Sequence, residues 1–182
     1  MGYFPLCMDI SGKTVLLVGD GPQTRDKAEK LRPFAPRLVR RDTLSEKDLT
    51  PLPAFVVAGD LPLAEAELVS RLCQENRIPV NVVDLPGLST FSFSSMITAG
   101  ELTVSVSTGG KNPVAAALLR RRLERCIPDR TEEILLWLSA LRQELRQTLP
   151  KDTYPAVLRQ ITLSAFEKNR PLTREELESI FP

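Results

Sequence analysis

The chain contains no histidine in its 182 residues. That absence excludes Ser-His-Asp and Cys-His catalysis, imidazole acid–base work and His-containing metal sites within this chain. Proton transfer falls to Asp, Glu, Lys, Tyr or Cys, and no metal centre is expected. Cysteine is scarce as well. Cys7, Cys73 and Cys126 are an odd set with no CxxC pair. This speaks against a disulfide framework and for a reducing compartment. Each thiol is expected to be a small buried hydrophobe. No apolar run approaches the roughly 20 residues that span a bilayer, so no membrane contact is expected. The opening MGYFPLCMDI lacks the basic start and long apolar stretch of a signal peptide. Gly2 precedes Tyr-Phe-Pro-Leu, with leucine where a myristoylation site needs Ser or Thr. A net charge of +1 and a pI near 7.7 leave no broad basic face, which sets nucleic acid aside as a partner. The expected compartment is the cytoplasm.

The length suits one α/β domain with a smaller helical appendage. Residues 14–18, TVLLV, form an apolar run between Gly12 and Gly19, the pattern of a strand buried on both faces. Pro22 then opens a helix over 22–32, with Thr24, Ala28 and Leu31 on one face. The stretch that follows is Pro-rich. Arg37 to Arg40 suits a small strand, and Ser45 with Asp48 suits the cap of one helical turn. AFVVAG at 54–59 and PVNVV at 79–83 read as two more buried strands. Between them Asp60 is placed to cap a helix from Pro62, with Leu68, Val69, Leu72 and Cys73 as its periodic face. Leu102 to Ser107 alternates as a half-exposed strand.

Beyond residue 112 the pattern is helical only. Pro113 opens a helix with Leu119, Leu123 and Cys126 on one face. A second spans about 131–149, with Ile134, Leu138, Leu141, Leu145 and Leu149 as its stripe. A third covers about 155–168. A fourth starts at the capping-box pattern Thr173-x-x-Glu176. Strands alternating with helices predict a parallel sheet. The division expected is an α/β domain over 1–112 and a helical one over 113–182. The helices carry more apolar stripe than they can bury alone, which predicts a homodimer.

Three places can carry chemistry. The Gly19-Asp20-Gly21 turn joins a buried strand to a helix, the setting in which backbone amides hold a dinucleotide's pyrophosphate. An ordinary βα turn is the other reading. Asp84 ends PVNVV, where ligands of open parallel sheets bind. It suits a general base or a turn before Pro86. Ser105-Val-Ser107-Thr108-Gly109-Gly110-Lys111-Asn112-Pro113 joins a strand to a Pro-started helix. Its amides and hydroxyls suit anion holding, or a polar turn with an N-cap. Asn81, mid-strand, can bond a ligand or the neighbouring loop. Arg120, Arg121, Arg122 and Arg125 form a solvated helix face or a basic rim.

These segments, PLCMDISGKTVLLVGDG, RDKAEKL and PVNVVDLPGLSTFSFSSMITAGELTVSVSTGGKNPVAAALLRRRLE, resemble the precorrin-2 dehydrogenase and sirohydrochlorin ferrochelatase family, the amino-terminal module of siroheme synthase. The likeness covers about 1–35 and 54–150. It implies a Rossmann-type sheet, shortened after its first βα unit, followed by a helical dimerisation region. Members oxidise precorrin-2 to sirohydrochlorin with NAD, and some also insert ferrous iron. The resemblance places the essential aspartate at Asp84. It places the dinucleotide site at Gly19, Asp20, Gly21, Pro22 and Gln23, with Ala58 and Gly59 beside it. The substrate side would be Asn81, Ser107, Thr108, Gly109, Gly110 and Asn112.

The family pattern has three glycines and an Arg-Lys pair. Here Asp20 and Pro22 intrude, and Arg25-Asp-Lys27 splits the pair. Segment 36–53 is too short for the family's second strand, helix and third strand, and shows no clearly placed acid for an adenosine ribose. Arg40 and Arg41 would face a 2′-phosphate if Arg37 to Val39 is the second strand. Two further readings stand beside the dehydrogenase. One is a scaffold without NAD that serves as a chelatase or tetrapyrrole-binding accessory protein. The other is a redox or ligand sensor without turnover.

Overall fold

A computed structural model describes residues 3–181, so Gly2 and the myristoylation reading lie outside the described residues. By packing, the chain divides into two compact units, Met1–Phe93 with Gly109–Lys111, and Ser94–Thr108 with Asn112–Pro182.

The first unit is a four-stranded parallel sheet in the order β2-β1-β3-β4. Its strands are β1 (Thr14–Val18), β2 (Arg37–Arg41), β3 (Phe55–Ala58) and β4 (Val80–Val82). The helices are α1 (Pro22–Leu31) and α2 (Leu63–Glu75). The side-chain period of two sorts each strand between two cores. Val15 and Leu17 pack with Ala28 and Leu31 of α1. Leu16 and Val18 pack with Ala66, Val69 and Cys73 of α2. Both faces are covered, which is why these strands read as continuous apolar runs. The buried face of α1 is the predicted Thr24, Ala28 and Leu31. On α2 the buried face is Ala66, Val69, Ser70 and Cys73, while Leu68 is exposed. Ser70 earns its place by donating its hydroxyl to the Leu88 carbonyl at 2.6 Å.

The shortened segment has a simple topological meaning. The usual doubly wound order is 3-2-1-4-5-6. The observed order matches its 2-1-4-5 portion. Both outermost strands of that order, 3 and 6, are absent, and the shortened segment accounts for strand 3 and its helix. Strand β2 becomes the sheet edge and is blunted by Arg37, Arg40 and Arg41, all charged and at least partly exposed. The reversal of strand order between β1 and β3 survives, and so does the crevice at their carboxyl ends.

After β2, Ser45 and Asp48 form the expected capping box on a single 3-10 turn, Glu46–Leu49. Asp48 accepts from the Ser45 hydroxyl at 2.7 Å and the Ser45 amide at 3.0 Å, and it pairs with Arg41. The Ser45 hydroxyl, then Arg41, holds its pKa down at about 2. An unfolded Asp titrates near 3.9. The stabilisation is therefore complete above that value and is lost as pH falls through about 2. Ser45→Ala should cost about 1 kcal/mol at neutral pH. It should also flatten the dependence of melting temperature on pH between those two values, as scanning calorimetry would show.

The second unit opens with an antiparallel hairpin, β5 (Ser95–Ala99) and β6 (Leu102–Val106), turning at Gly100. The alternating strand predicted at 102–107 is present, but it pairs with β5 and not with the parallel sheet. A cut at 112/113 places this hairpin with the first domain. By packing it goes with the helices. Among the described residues four helices follow: α3 (Pro113–Glu124), α4 (Thr131–Thr148), α5 (Tyr154–Glu167) and α6 (Arg174–Glu178). Ile134, Leu138 and Leu145 of α4 meet Val157, Ile161 and Ala165 of α5. Thr173 caps α6 through its capping box, and Glu176 is gripped by Arg170 and Lys168. Those hydrogen bonds hold the Glu176 carboxyl well below the usual carboxylate range.

The apolar stripe of α3 is not buried within its unit. Leu118, Leu119, Leu123 and Val114 are exposed, and Ala116 alone is buried. Cys126 on that stripe is exposed, as is Cys7. The expectation of buried thiols holds for Cys73 only, where burial pushes the pKa up to about 11. A thiol is small enough to be left at the end of an uncovered stripe. Among the described residues no helix is long and apolar enough to cross a membrane.

Candidate active site

The site of the first unit lies at the carboxyl ends of β1, β3 and β4. Gly19 leaves β1 with φ 93°, a backbone conformation that costs a side-chain-bearing residue strain. A Cβ there would sit 2.2 Å from the Gly59 carbonyl oxygen. Gly19 and Gly59 thus let two strand ends converge. Gly59 N–H donates to Val18 and Val83 N–H donates to Ala58, which carries the pairing one residue past each strand. Gly21 then takes the N-cap of α1 with no side chain to cap it, and Pro22 follows at the first helical position without an N–H.

The missing cap comes from another strand. Asp60, just past β3, accepts the Thr24 amide at 3.0 Å and the Thr24 hydroxyl at 3.3 Å. The expectation that Asp60 caps α2 is corrected here. It lies two residues before the N-cap position, which Pro62 takes without a side-chain bond. Its φ of 60° turns the chain so that its carboxylate faces α1 instead. Thr24 also donates its hydroxyl to the Gly59 carbonyl at 3.1 Å.

Asp84 mirrors Asp60 one strand further on. It follows β4 with φ 62°, a conformation that Asp tolerates better than most residues. Its Oδ2 accepts a short hydrogen bond from Gln23 Nε2. Gln23 Oε1 accepts the Asp60 amide at 3.3 Å. One glutamine on the first turn of α1 therefore ties together the loops after β3 and β4. Asp84, Gln23, Pro22, Val83, Asp26 and Lys27 line an open hollow of about 340 Å³. A smaller one of about 80 Å³ runs beside it between Ala58, Gly59 and Leu61.

Lys27 is the cation of this hollow. Its ammonium lies 5.3 Å from the Phe93 ring centroid and 3.5 Å from Asp26. Burial pushes its pKa down, and neighbouring Lys30 adds to this. The site thus offers a carboxylate, a half-buried ammonium and an amide-lined turn. That set can accept a proton, hold an anionic substituent and seat a phosphate.

The remaining expected residues are placed as follows. Asp20 turns toward the sheet edge, its carboxylate 2.8 Å from Arg40 and 3.7 Å from Arg25. Arg41 is taken by Asp48, so neither arginine faces outward alone. Asn81 bonds the neighbouring loop: its amide nitrogen donates to the Phe91 carbonyl at 3.0 Å, and its buried Oδ1 has no partner among the described residues. In the second unit Thr108 clasps Asn112, donating to its carbonyl at 3.0 Å and accepting its amide at 3.2 Å. Asn112 Oδ1 caps α3 by accepting the Ala115 amide at 2.9 Å. Gly109 and Gly110 are both left-handed, at φ 63° and 76°, and Ser107 precedes them at the end of β6.

Sequence reasoning missed four contributors. Lys27 is legible only as half of the split Arg25 and Lys27 pair, with no role attached to it. Asp42 directly follows β2 and is exposed, where a carboxylate can reach ribose hydroxyls. Its signal was its distance from Gly21, close to the usual span of about 20 residues. Ser89 and Thr90 bond the edge of β4, at 2.9 Å to the Val82 amide and 2.8 Å to the Val80 amide. They anchor the loop that begins at Asp84. Among the described residues no group of three or more Cys, Asp or Glu gathers to hold a metal ion.

Comparison with known proteins finds relatives of the chain and of its fold. Residues 6–95 match a family described as "Putative NAD(P)-binding", and residues 100–125 one described as "Sirohaem biosynthesis protein central". The siroheme synthase of Thioalkalivibrio sulfidiphilus is 34% identical over 170 residues, 82% of this chain and 35% of that protein. The siroheme synthase of Azotobacter vinelandii is 34% identical over 171 residues, 82% of this chain and 37% of that protein. The chain thus spans little more than a third of the curated relatives it matches. The solved structure of SirC, precorrin-2 dehydrogenase, shares the fold, with a TM-score of 0.72 over 98% of this chain and 96% of that one at 14% identity. The chain belongs to the precorrin-2 dehydrogenase and sirohydrochlorin ferrochelatase family, the amino-terminal module of siroheme synthase.

Proposed function

We propose that this chain oxidises precorrin-2 to sirohydrochlorin with NAD. The reading is supported above all by Asp84, just past β4, held by Gln23 on the first turn of α1, which itself starts at the strand-order reversal between β1 and β3. The fit to a dinucleotide is supported by a stand-in: a carboxylate, that of Asp60, already sits on the α1 amide where a phosphate would. NAD, when bound, supplies the hydride acceptor. Gly19, Gly21, Gln23, Ala58 and Gly59 would form its cradle, and Asp42 would hold its adenosine ribose. Asp20, turned to Arg40, would stand at the rim.

Oxidation removes two hydrogens from the macrocycle, one as hydride and one as a proton. Asp84 Oδ accepts that proton, and Gln23 keeps the carboxylate aimed. Lys27 pairs with a carboxylate of the tetrapyrrole. Ser107, Thr108, Gly109, Gly110 and Asn112 offer hydroxyls and amides to others, and Asn81 stiffens the strand behind Asp84. Where ferrous iron is the second substrate, the metal replaces two pyrrole protons; Asp84 takes one and the other passes to solvent. The protein works in the cytoplasm as a homodimer, with the exposed leucines of α3 as its apolar interface. Light scattering should then give twice the 20.3 kDa chain mass, and a monomer at micromolar concentration removes the dimer.

A second reading, a chelatase or tetrapyrrole-binding protein without NAD, draws on the same Asp60 carboxylate, taken as a permanent plug. Calorimetric titration separates the two. The dehydrogenase reading predicts saturable NAD binding, and no heat at millimolar NAD would end it.

A further inference from the structure

Asp60 is a negative charge placed on the amide that would receive a negatively charged cofactor. We propose that Asp60 is an internal competitor of the dinucleotide phosphate, setting NAD affinity by closing the α1 seat until it swings away. The inference rests on the NAD reading of this turn.

Four observations carry it. Helix α1 has no cap of its own: Gly21 has no side chain and no acid lies in its first turn. Pro22 lacks an N–H, so Thr24 offers one of the few amides at that end, and Asp60 takes it. A Cβ on Gly21 would lie 2.1 Å from the Asp60 Cγ, so the carboxyl lies in the space that a phosphate approaching Gly21 needs. Finally, Asp60 stands at φ 60° on a strand end, where a rotation of its side chain releases the seat without unpairing β3. Two anions cannot share one amide without repulsion, so the phosphate and Asp60 exclude each other.

The affinity measured for such a protein is reduced by the fraction of molecules in the open state. Removing the internal carboxylate should remove that reduction. Asp60→Gly keeps the left-handed backbone at ease and empties the seat. Asp60→Asn keeps shape and the αL preference but drops the charge, and it serves if the glycine variant folds poorly. Both would be titrated as the intact chain by calorimetry, with NAD and separately with inorganic pyrophosphate. The expected result is NAD binding about tenfold or more tighter in Asp60→Gly than in the unaltered protein, with Asp60→Asn between them. Pyrophosphate binding should appear in Asp60→Gly, and amide exchange at Thr24 should speed up once its partner is gone.

The outcomes separate the two ideas. If the unaltered chain and both variants bind NAD equally, or the variants bind it more weakly, Asp60 is no competitor and the NAD reading stands. If Asp60→Gly gains pyrophosphate but no variant takes NAD, the NAD reading falls and the claim that Asp60 sets NAD affinity falls with it. If neither ligand binds any of the three, the seat receives no phosphate and the inference is overturned.

Discussion

Asp84→Asn is expected to fold as the unaltered chain does and to lose 10²- to 10⁴-fold in the rate of precorrin-2 oxidation, the range a positioned general base contributes. The substitution is chosen for the backbone. Asp84 sits at φ 62°, and Asn tolerates that conformation almost as well as Asp. Alanine there would add about 1–2 kcal/mol of strain and confuse loss of chemistry with loss of structure. An asparagine oxygen can still accept from Gln23, so the loop after β4 stays in place. What disappears is the negative charge and the capacity to take a proton. The measurement is kcat under anaerobic conditions, with a melting curve as control. Full activity in Asp84→Asn would remove the carboxylate from the mechanism. Any metal insertion by this chain should fall in parallel, because deprotonation of a pyrrole nitrogen needs the same base.

The largest effect on stability is expected at Gly19. A side chain there meets two penalties at once. The backbone stands at φ 93°, outside the range comfortable for alanine, and the new Cβ would lie 2.2 Å from the Gly59 carbonyl oxygen. Strain of about 1–3 kcal/mol and overpacking of about 1–3 kcal/mol add to roughly 2–6 kcal/mol. The obstruction is backbone, so no rotamer change relieves it; β1 and β3 would have to part. Urea unfolding of Gly19→Ala followed by far-UV circular dichroism should show the midpoint fall accordingly. Gly21→Ala should behave differently. Its backbone is ordinary at φ −82°, and the obstacle is the Asp60 side chain, which can move. Stability should change less at Gly21 than at Gly19.

Much of the first unit was legible because its forces are local. Strands β1, β3 and β4 are buried on both faces, and a run of Val and Leu between glycines says so. The face of α1, the capping boxes at Ser45 and Thr173, and the stripe of α4 follow from spacing within one element. Strand β5 escaped because Ser-Met-Ile-Thr-Ala carries a weak alternation and is fixed by pairing with β6. Asp60 was assigned to the wrong helix because a side chain that bonds a residue 36 positions earlier leaves no local signal. The α3 stripe reads as an apolar face and Cys126 as a buried thiol, and periodicity does not say which of the apolar faces is left for a partner.

The candidate site divides along the same line. Gly19, Gly21 and Asp84 could be found from the sequence, since strand ends and turn residues mark them. The network that joins them could not: Gln23 reaching the Asp84 carboxylate and the Asp60 amide, and Lys27 settling over Phe93, are products of the tertiary fold. The shortened segment after α1 also looked graver in one dimension than in three. It removes an edge strand and leaves the crevice between β1 and β3 intact.

The most direct test is the stoichiometry of the reaction itself. The purified chain would be mixed anaerobically with precorrin-2 and NAD, and NADH absorbance followed together with the sirohydrochlorin spectrum. One NADH for each sirohydrochlorin formed, at a rate that collapses in Asp84→Asn, is the predicted result. Sirohydrochlorin appearing without NADH, or none at all while tetrapyrrole still binds, would contradict the account.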